Sequence, residues 1–335
     1  MREPDLSGLA RISAAVGADI TLVQGAGGNA SLKDDGVLWV KASGTWLADA
    51  AAKPIFVPVE LAEVHRRIAA GVETMPSLRP DGPLRPSIET SLHALLPHRV
   101  VLHVHGVNTL AQGAQAGAAT ALAPLLAGFD WAWLPYCQPG LPLTEAVARL
   151  TASRPADVLI LGNHGLVVGA DTPEAAEALA REVERRLALP WRAGPPADLA
   201  ALAALAQGTP YRPARDADSH AAATDPDNGR IASGGSLYPD HVVFLGRGAA
   251  VLPPGARPPG QAADGGKPPA CLLVPGLGTL ARADLVPGAE AMLRCLGLVA
   301  GRLPAAARVT YLTAEDEHRL LNWEAEAFRQ TLARV

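Results

Sequence analysis

Lysine is scarce in this chain: Lys33, Lys41, Lys53 and Lys267 are its only four, and every other basic side chain is arginine. Net charge is -4, and no basic patch or stripe stands out, which excludes the electrostatic footprint of a nucleic-acid partner. Cysteine is scarcer still. Cys137, Cys271 and Cys295 lie far apart, are odd in number and form no CxxC, which points to a reduced, cytoplasmic compartment. Long hydrophobic runs are missing too. Stretches such as ALAPLLAGF at 121–129 are too short to span a bilayer. The opening MREPDLSGLARISAAVGADI carries charges throughout and lacks the apolar centre of a signal peptide. A soluble, non-secreted protein is expected. With 335 residues, 49% of them hydrophobic, the chain is long enough for one large core or for a large domain plus a small one.

No internal repeat is visible. Leu6, Leu9, Ile12 and Val16 have helical spacing, and ITLVQ at 20–24 reads as a short strand. ASL and VLWVKA flank Lys33-Asp34-Asp35-Gly36, a hairpin signal because Asp-Gly suits the tight turn between antiparallel strands. IFVPV at 55–59 reads as a strand, and ELAEVHRRIAAG as a helix stopped at Gly71. A Pro-rich loop at 76–86 leads into a helix expected from Ser87 to Leu96. VVLHVH, VLILG and GLVVG read as strands, and Pro173 to Leu189 as a helix with Pro and acidic residues at its start. Residues 190–235 are rich in Ala, Pro, Gly and Asp and read as a linker with one helix at 197–206; 253–269 reads as a loop. HVVFLG and CLLVPG read as strands, 288–301 as a helix, and a last helix starts at Thr313 with a capping-box pattern, Thr313-x-x-Asp316. The expected organisation is a main domain at 1–190 and, at 191–335, a Pro/Gly-rich linker with a small C-terminal α/β domain.

Two histidine signals carry chemistry. His103 and His105 are two apart in an expected strand, so both side chains point to one face, where two imidazoles can share a metal. His164 follows the strand VLILG, and Gly165 beside it permits close backbone approach. Three neutral imidazoles leave one coordination position open, as in a catalytic site; the alternative is three unrelated, hydrogen-bonded histidines. Glu89 and His93 are four apart on the expected helix and share a face, although a first-turn Glu is also explained by the helix dipole. Gly25-Ala26-Gly27-Gly28-Asn29-Ala30 satisfies GxGxxA, the dinucleotide fingerprint. A hairpin follows it where the fingerprint needs a helix, and no acidic residue ends a second strand near 50, so NAD binding there is rejected. Backbone N–H groups of such a loop still suit an anion, and Ser43-Gly44-Thr45 would add hydroxyls.

Taken in order, GAGGNASL, VKASG, RPSIETSLH, VVLHVH and VLILGNHGLVVG followed by EAAEALAREVE resemble the class II aldolase/adducin family over roughly residues 8–190. YPDHVVFLG and the ending AEDEHRLLNWEAEAFRQ resemble the aldolase portion of bacterial proteins that join a rhamnulose-1-phosphate aldolase-like domain to a short-chain dehydrogenase. The resemblance implies an α/β protein, an α/β/α sandwich around a mainly antiparallel sheet, often tetrameric. It implies a divalent metal, usually zinc, on His103, His105 and His164. Glu89 matches the acidic residue that moves the proton at the substrate carbon, and Gly28, Asn29, Ser43, Gly44 and Ser87 match positions that hold a substrate phosphate. The implied reaction is carbon–carbon cleavage or formation in a ketose or ketose phosphate, through an enediolate whose charge the metal offsets. Glu89 then needs a pKa near working pH, which burial against apolar walls would give. Ile88 stands where fuculose-phosphate aldolases carry a second serine, and none of Tyr136, Tyr211, Tyr238 and Tyr311 is legible as the family's proton donor. Rival readings on the same fold are sugar-phosphate 4-epimerisation, for which the family carries Asp in place of Glu89, decarboxylation, and a non-enzymatic adducin-like module, which lacks the histidines. An oxidoreductase is disfavoured because no dinucleotide-binding domain is legible in these residues.

Overall fold

The computed structural model describes residues 3–261 and 267–324. The chain divides into two compact units, Met1–Thr109 with Ala119–Leu187, and Leu110–Ala118 with Ala188–Val335. In chain order the elements up to residue 187 are α1 (Ser7–Gly17), β1 (Asn29–Asp34), β2 (Val37–Lys41), β3 (Phe56–Glu60), α2 (Leu61–Ala69), α3 (Thr90–Leu95), β4 (Val100–Val104), α4 (Val107–Gly113), α5 (Ala118–Leu125), β5 (Trp131–Leu134), α6 (Leu141–Thr151), β6 (Val158–Leu161), β7 (Gly165–Ala170) and α7 (Pro173–Arg186).

The β1–β2 hairpin sets the register of the first unit. Asp35 and Gly36 both take positive φ, 45° and 74°, as a two-residue turn matched to strand twist requires. Seven strands follow the order β3-β2-β1-β4-β7-β6-β5, and every neighbouring pair is antiparallel except β5 with β6. On one face Leu92 and Leu96 from the α3 region and Leu143 and Val147 of α6 pack on Val101, Leu159, Leu161 and Val167. Helices α1 and α7 pack against each other and on β1, β4 and β7. All five residues of β4 are buried, as a strand covered on both faces must be. This is the expected α/β/α sandwich around a mainly antiparallel sheet.

Some local expectations fail here for identifiable reasons. ITLVQ is a turn, not a strand: the Asp19 carboxylate accepts from the Thr21 N–H at 3.0 Å and from its hydroxyl at 2.6 Å, and Leu22 and Val23 both donate backbone N–H to the Asp19 carbonyl. The helix expected from Ser87 begins at Thr90, with Glu89 at its N-cap, because Ser87 to Glu89 form a turn closed by Thr90 N–H on the Ser87 carbonyl.

In the second unit the expected linker at 190–235 is folded. It holds α8 (Leu199–Ala206), β8 (Tyr211–Pro213), α9 (Ala217–Thr224) and α10 (Pro226–Ser233), followed by α11 (Pro239–Leu245), β9 (Ala250–Val251), β10 (Cys271–Val274), β11 (Gly278–Arg282), α12 (Pro287–Ala300) and α13 (Ala314–Leu321). The small residues that look like linker composition allow close packing: on α12, a Cβ at Gly297 would collide with the Asp218 carbonyl of α9. HVVFLG is helical, not extended. Pro239 occupies the first turn, where its fixed φ suits a helix, and Gly246 at φ 90° ends it. A four-stranded sheet runs β8-β11-β10-β9. Thr313 caps α13, accepting from Asp316 N–H while Asp316 accepts from Thr313 N–H, so the capping box forms with Asp in place of Glu. The matched ending AEDEHRLLNWEAEAFRQ runs past residue 324 and from there lies outside the described residues, as does 262–266 of the loop at 253–269. Among the described residues no helix is long and apolar enough to cross a membrane.

His241 on α11 is fully buried, and burial pushes its imidazole down to about 4, against a backbone contact with Gly248 that raises it. A depressed folded-state value means that the unfolded chain takes up a proton first, below its ordinary 6.5. Stability is therefore expected to be complete above that pH and to fall as pH drops toward 4, by on the order of 3 kcal/mol from this residue. Denaturant unfolding across that range should show the slope, and His241→Gln should flatten it; an unchanged slope in the variant would remove His241 as the cause.

Candidate metal centre

The site begins with strand register. Asn29 of β1 pairs with His103 of β4, and His103 pairs with Val167 of β7. Partners across an antiparallel ladder share a face, so Asn29 and His103 stand on the face that α3 and α6 cover. Helix α3 is tied there by His93 Nδ1 to Ser31 Oγ at 2.7 Å and by Ser91 Oγ to Thr144 Oγ1 at 2.7 Å. That brings the N-cap residue Glu89 over the ends of β1 and β4.

His105 lies just beyond β4. His164 sits at the tip of the three-residue turn between β6 and β7, where Asn163 takes φ 52° and His164 N–H donates to the Leu161 carbonyl at 3.1 Å. Gly165 is required here. Its φ is 154°, and a Cβ on it would lie 2.5 Å from the Val104 carbonyl, 3.2 Å from His103 Cε1 and 3.3 Å from His105 Cδ2. Two imidazoles lean over the space a side chain would fill.

The three rings converge, with centroids 4.8, 5.0 and 5.6 Å apart, and their ligand atoms all lie within 4.8 Å of one another. His103 donates from Nδ1 to the Leu166 carbonyl at 2.9 Å, which fixes the proton there and leaves the Nε2 lone pair facing the group. His103 Nε2 and His105 Nε2 are 3.1 Å apart. Two nitrogens each about 2.05 Å from a tetrahedral zinc would be about 3.3 Å apart, so this donor set fits a divalent metal of the borderline kind. All three histidines are buried.

Glu89 completes the constellation. Its Oε1 lies 3.4 Å from His164 Nε2 and its Oε2 3.7 Å from His103 Nε2. Oε2 also accepts from Asn29 Nδ2 at 2.7 Å, and the Glu89 N–H donates to Ser87 Oγ at 3.2 Å. Burial pushes the Glu89 carboxyl up, but His103, His164 and His105, with a smaller share from His93, outweigh it and hold the group below the ordinary carboxylate range. The net shift is opposite to the expectation that burial sets its pKa near neutrality: a carboxylate beside imidazoles when they are protonated, or beside the cation they would hold when neutral, is favoured in its charged form. Burial drives the His93 imidazole down to about 3, so His93 is neutral.

The segments that bear the five candidate anion residues are joined through Lys41, a lysine to which sequence reading gave no role. Lys41 is 2% exposed, and its Nζ donates to the Ala26 and Gly28 carbonyls at 2.7 and 2.8 Å and to the Gly27 carbonyl at 3.4 Å. It clasps the glycine-rich loop against the end of β2. Ser43 N–H then donates to the Arg85 carbonyl at 2.9 Å and Ser87 N–H to the Lys41 carbonyl at 3.1 Å, joining the segment bearing Ser43 and Gly44 to the one bearing Ser87. These two amides are thereby used within the protein, so of the donors expected at Ser43 and Ser87 the hydroxyls remain and these N–H groups do not. Gly28 has φ 65°, and a Cβ there would lie 2.9 Å from the His103 carbonyl. An apolar residue followed by SG after a lysine was the available signal for Lys41, but a single buried cation has no periodicity to announce it.

Residues 8–190 match the family model described as the class II aldolase and adducin N-terminal domain. A curated relative, the uncharacterized oxidoreductase YuxG of Bacillus subtilis (strain 168), is 31% identical over 179 residues, which is 48% of this chain but only 25% of that protein. Among solved structures, the N-terminal class II aldolase domain of a conserved protein from Thermoplasma acidophilum is 26% identical, with a TM-score of 0.49, covering 56% of this chain and 93% of that one. The L-fuculose-1-phosphate aldolase of Thermus thermophilus is 16% identical, with a TM-score of 0.39, covering 54% and 89%.

Proposed function

Because the chain belongs to the class II aldolase and adducin N-terminal domain family, we propose that it is a metal-dependent aldolase, a lyase that cleaves or forms a carbon–carbon bond in a ketose or ketose phosphate. The observation that carries this reading is the convergence of His103, His105 and His164 beneath the buried carboxylate of Glu89. A non-enzymatic module has no use for such a cluster. These three imidazoles would hold the metal, zinc in the first instance; when bound, it supplies Lewis acidity toward the substrate oxygens.

The protein's own groups do the rest. Glu89, held as a carboxylate within reach of the imidazole cluster, takes the proton from the substrate carbon in the condensation direction and returns it in cleavage. Gly28, Asn29, Ser43, Gly44 and Ser87 form the end of the site where a substrate phosphate would sit. The same reading places the protein in the cytoplasm as a homo-oligomer acting on a sugar or sugar phosphate, with the region from residue 191 as a separate C-terminal α/β domain.

The test is a metal assay of purified protein, followed by a screen of ketose phosphates and free ketoses for release of dihydroxyacetone phosphate, glycolaldehyde or lactaldehyde. Release of one of these by metal-loaded protein is expected. Phosphorylated ketoses should be preferred over their free counterparts. Equal turnover of both would show that Ile88, standing where a second serine would add a hydroxyl, has abolished phosphate selection.

A further inference from the structure

His103 and His164 are placed by the sheet: one stands in β4 and the other on the turn that joins β6 to β7. His105 follows the last residue of β4, so no strand register fixes it, and its backbone has to be held in other ways. Three contacts do this. The Gln24 side chain donates from Nε2 to the His105 carbonyl at 3.3 Å, and Val107 N–H donates to the Thr21 carbonyl at 2.8 Å. The third contact comes from α7. Glu184 is 5% exposed, and its carboxylate accepts from Asn108 N–H at 3.2 Å, from Thr109 N–H at 3.1 Å and from the Thr109 hydroxyl. Asn108 Nδ2 donates in return to the Glu184 carbonyl at 3.3 Å. A buried carboxylate needs such donors, and N–H groups in the first turn of a helix lack partners within it. Capping alone accounts for these bonds, but the carboxylate also lies on the backbone of Gly106, directly beside His105, where a Cβ would collide with it. Because α7 packs on β4 and β7, Glu184 ties the chain leaving His105 to the sheet that carries His103.

We propose that Glu184 is a positioning residue for the metal centre: by fixing Gly106 and the start of α4 it holds the His105 imidazole in place before an ion arrives. This rests on the metal-dependent reading of the site, in which His105 is a ligand. Without the carboxylate the segment after β4 relaxes, and binding an ion must also re-order His105, which weakens it.

The test uses the full chain with Glu184→Ala, and with Glu184→Gln, which keeps the volume and decides the matter should the first fail to fold. The control is Thr172→Ala, which removes the cap at the other end of the same helix, where Thr172 Oγ1 accepts from Ala175 N–H at 3.2 Å. The readouts are Co2+ affinity by competition with a chelator, the visible Co2+ bands, and a thermal melt, with binding measured below the onset of melting. Glu184→Ala should bind Co2+ about tenfold more weakly, the low end of what groups that orient a metal ligand contribute, and its bands should shift. Glu184→Gln should move both in the same direction by less, since one oxygen still accepts while the amide nitrogen faces an N–H. Thr172→Ala should melt lower and keep the parent's affinity and bands. Parent affinity and bands in every Glu184 variant that folds, however far the melt falls, overturn the inference and leave Glu184 an ordinary cap. An equal loss of affinity in Thr172→Ala overturns it as well, because the effect would then follow stability alone. A parent protein that takes up no Co2+ overturns the proposed function itself, which separates that failure from this one.

Discussion

Glu89→Gln is expected to keep its metal and lose solvent hydron exchange at the substrate carbon by roughly 10²–10⁴-fold, the contribution typical of a positioned general acid or base. The substitution preserves size and the contact with Ser87, and it leaves His103, His105 and His164 in place. What it removes is the group that accepts the proton. The depressed pKa of Glu89 makes this a sharp prediction, since the parent carboxylate is ionised throughout the neutral range and needs no prior deprotonation. Deuterium incorporation into a ketose phosphate, followed by NMR or mass spectrometry, reads the effect. Exchange in the variant at the parent rate would reduce Glu89 to a helix-end residue.

His103→Ala is expected to lose the metal altogether. A three-imidazole site reduced to two keeps too few nitrogen donors to hold the ion tightly, and no further His, Cys, Asp or Glu group of this kind occurs among the described residues. The fold should survive. The change leaves the Leu166 carbonyl without its 2.9 Å partner and opens a small cavity, together costing roughly 1–3 kcal/mol, which lowers the melting temperature without abolishing a cooperative transition. Metal analysis beside a thermal melt separates the two effects. A folded variant that retains the parent's full metal content would move the site elsewhere.

Much of the fold was legible because its signals are local and physical. Asp35-Gly36 names its turn, Thr313-x-x-Asp316 its cap, and the two-residue spacing of His103 and His105 their common face. The misreadings have a shared cause: a short apolar run does not declare its period. ITLVQ bends because one residue, Asp19, captures through its carboxylate and its backbone carbonyl the amides that a strand would have offered to a neighbour. HVVFLG is helical because Pro239 and Gly246 punctuate it as a helix, a signal outweighed in the reading by its β-branched valines. The region after residue 190 looked like a linker because Ala and Gly are also the residues that let α9 and α12 approach closely.

At the candidate site, sequence named the three histidines that cluster and the carboxylate beside them but not the balance of burial and charge at that carboxylate. Burial suggested a raised Glu89 pKa, and only the positions of three imidazoles around it reverse the sign. Lys41 was invisible for the same reason: its task, holding three carbonyls of the glycine-rich loop, exists only once β2 and that loop are side by side.

The most direct test of the central claim is to follow carbonyl product from a ketose phosphate with protein that has been stripped by a chelator and then reconstituted. The account predicts that cleavage disappears on stripping and returns with about one divalent ion per chain. Cleavage at the full rate by metal-free protein, or no carbonyl product from any ketose or ketose phosphate with fully loaded protein, would contradict it.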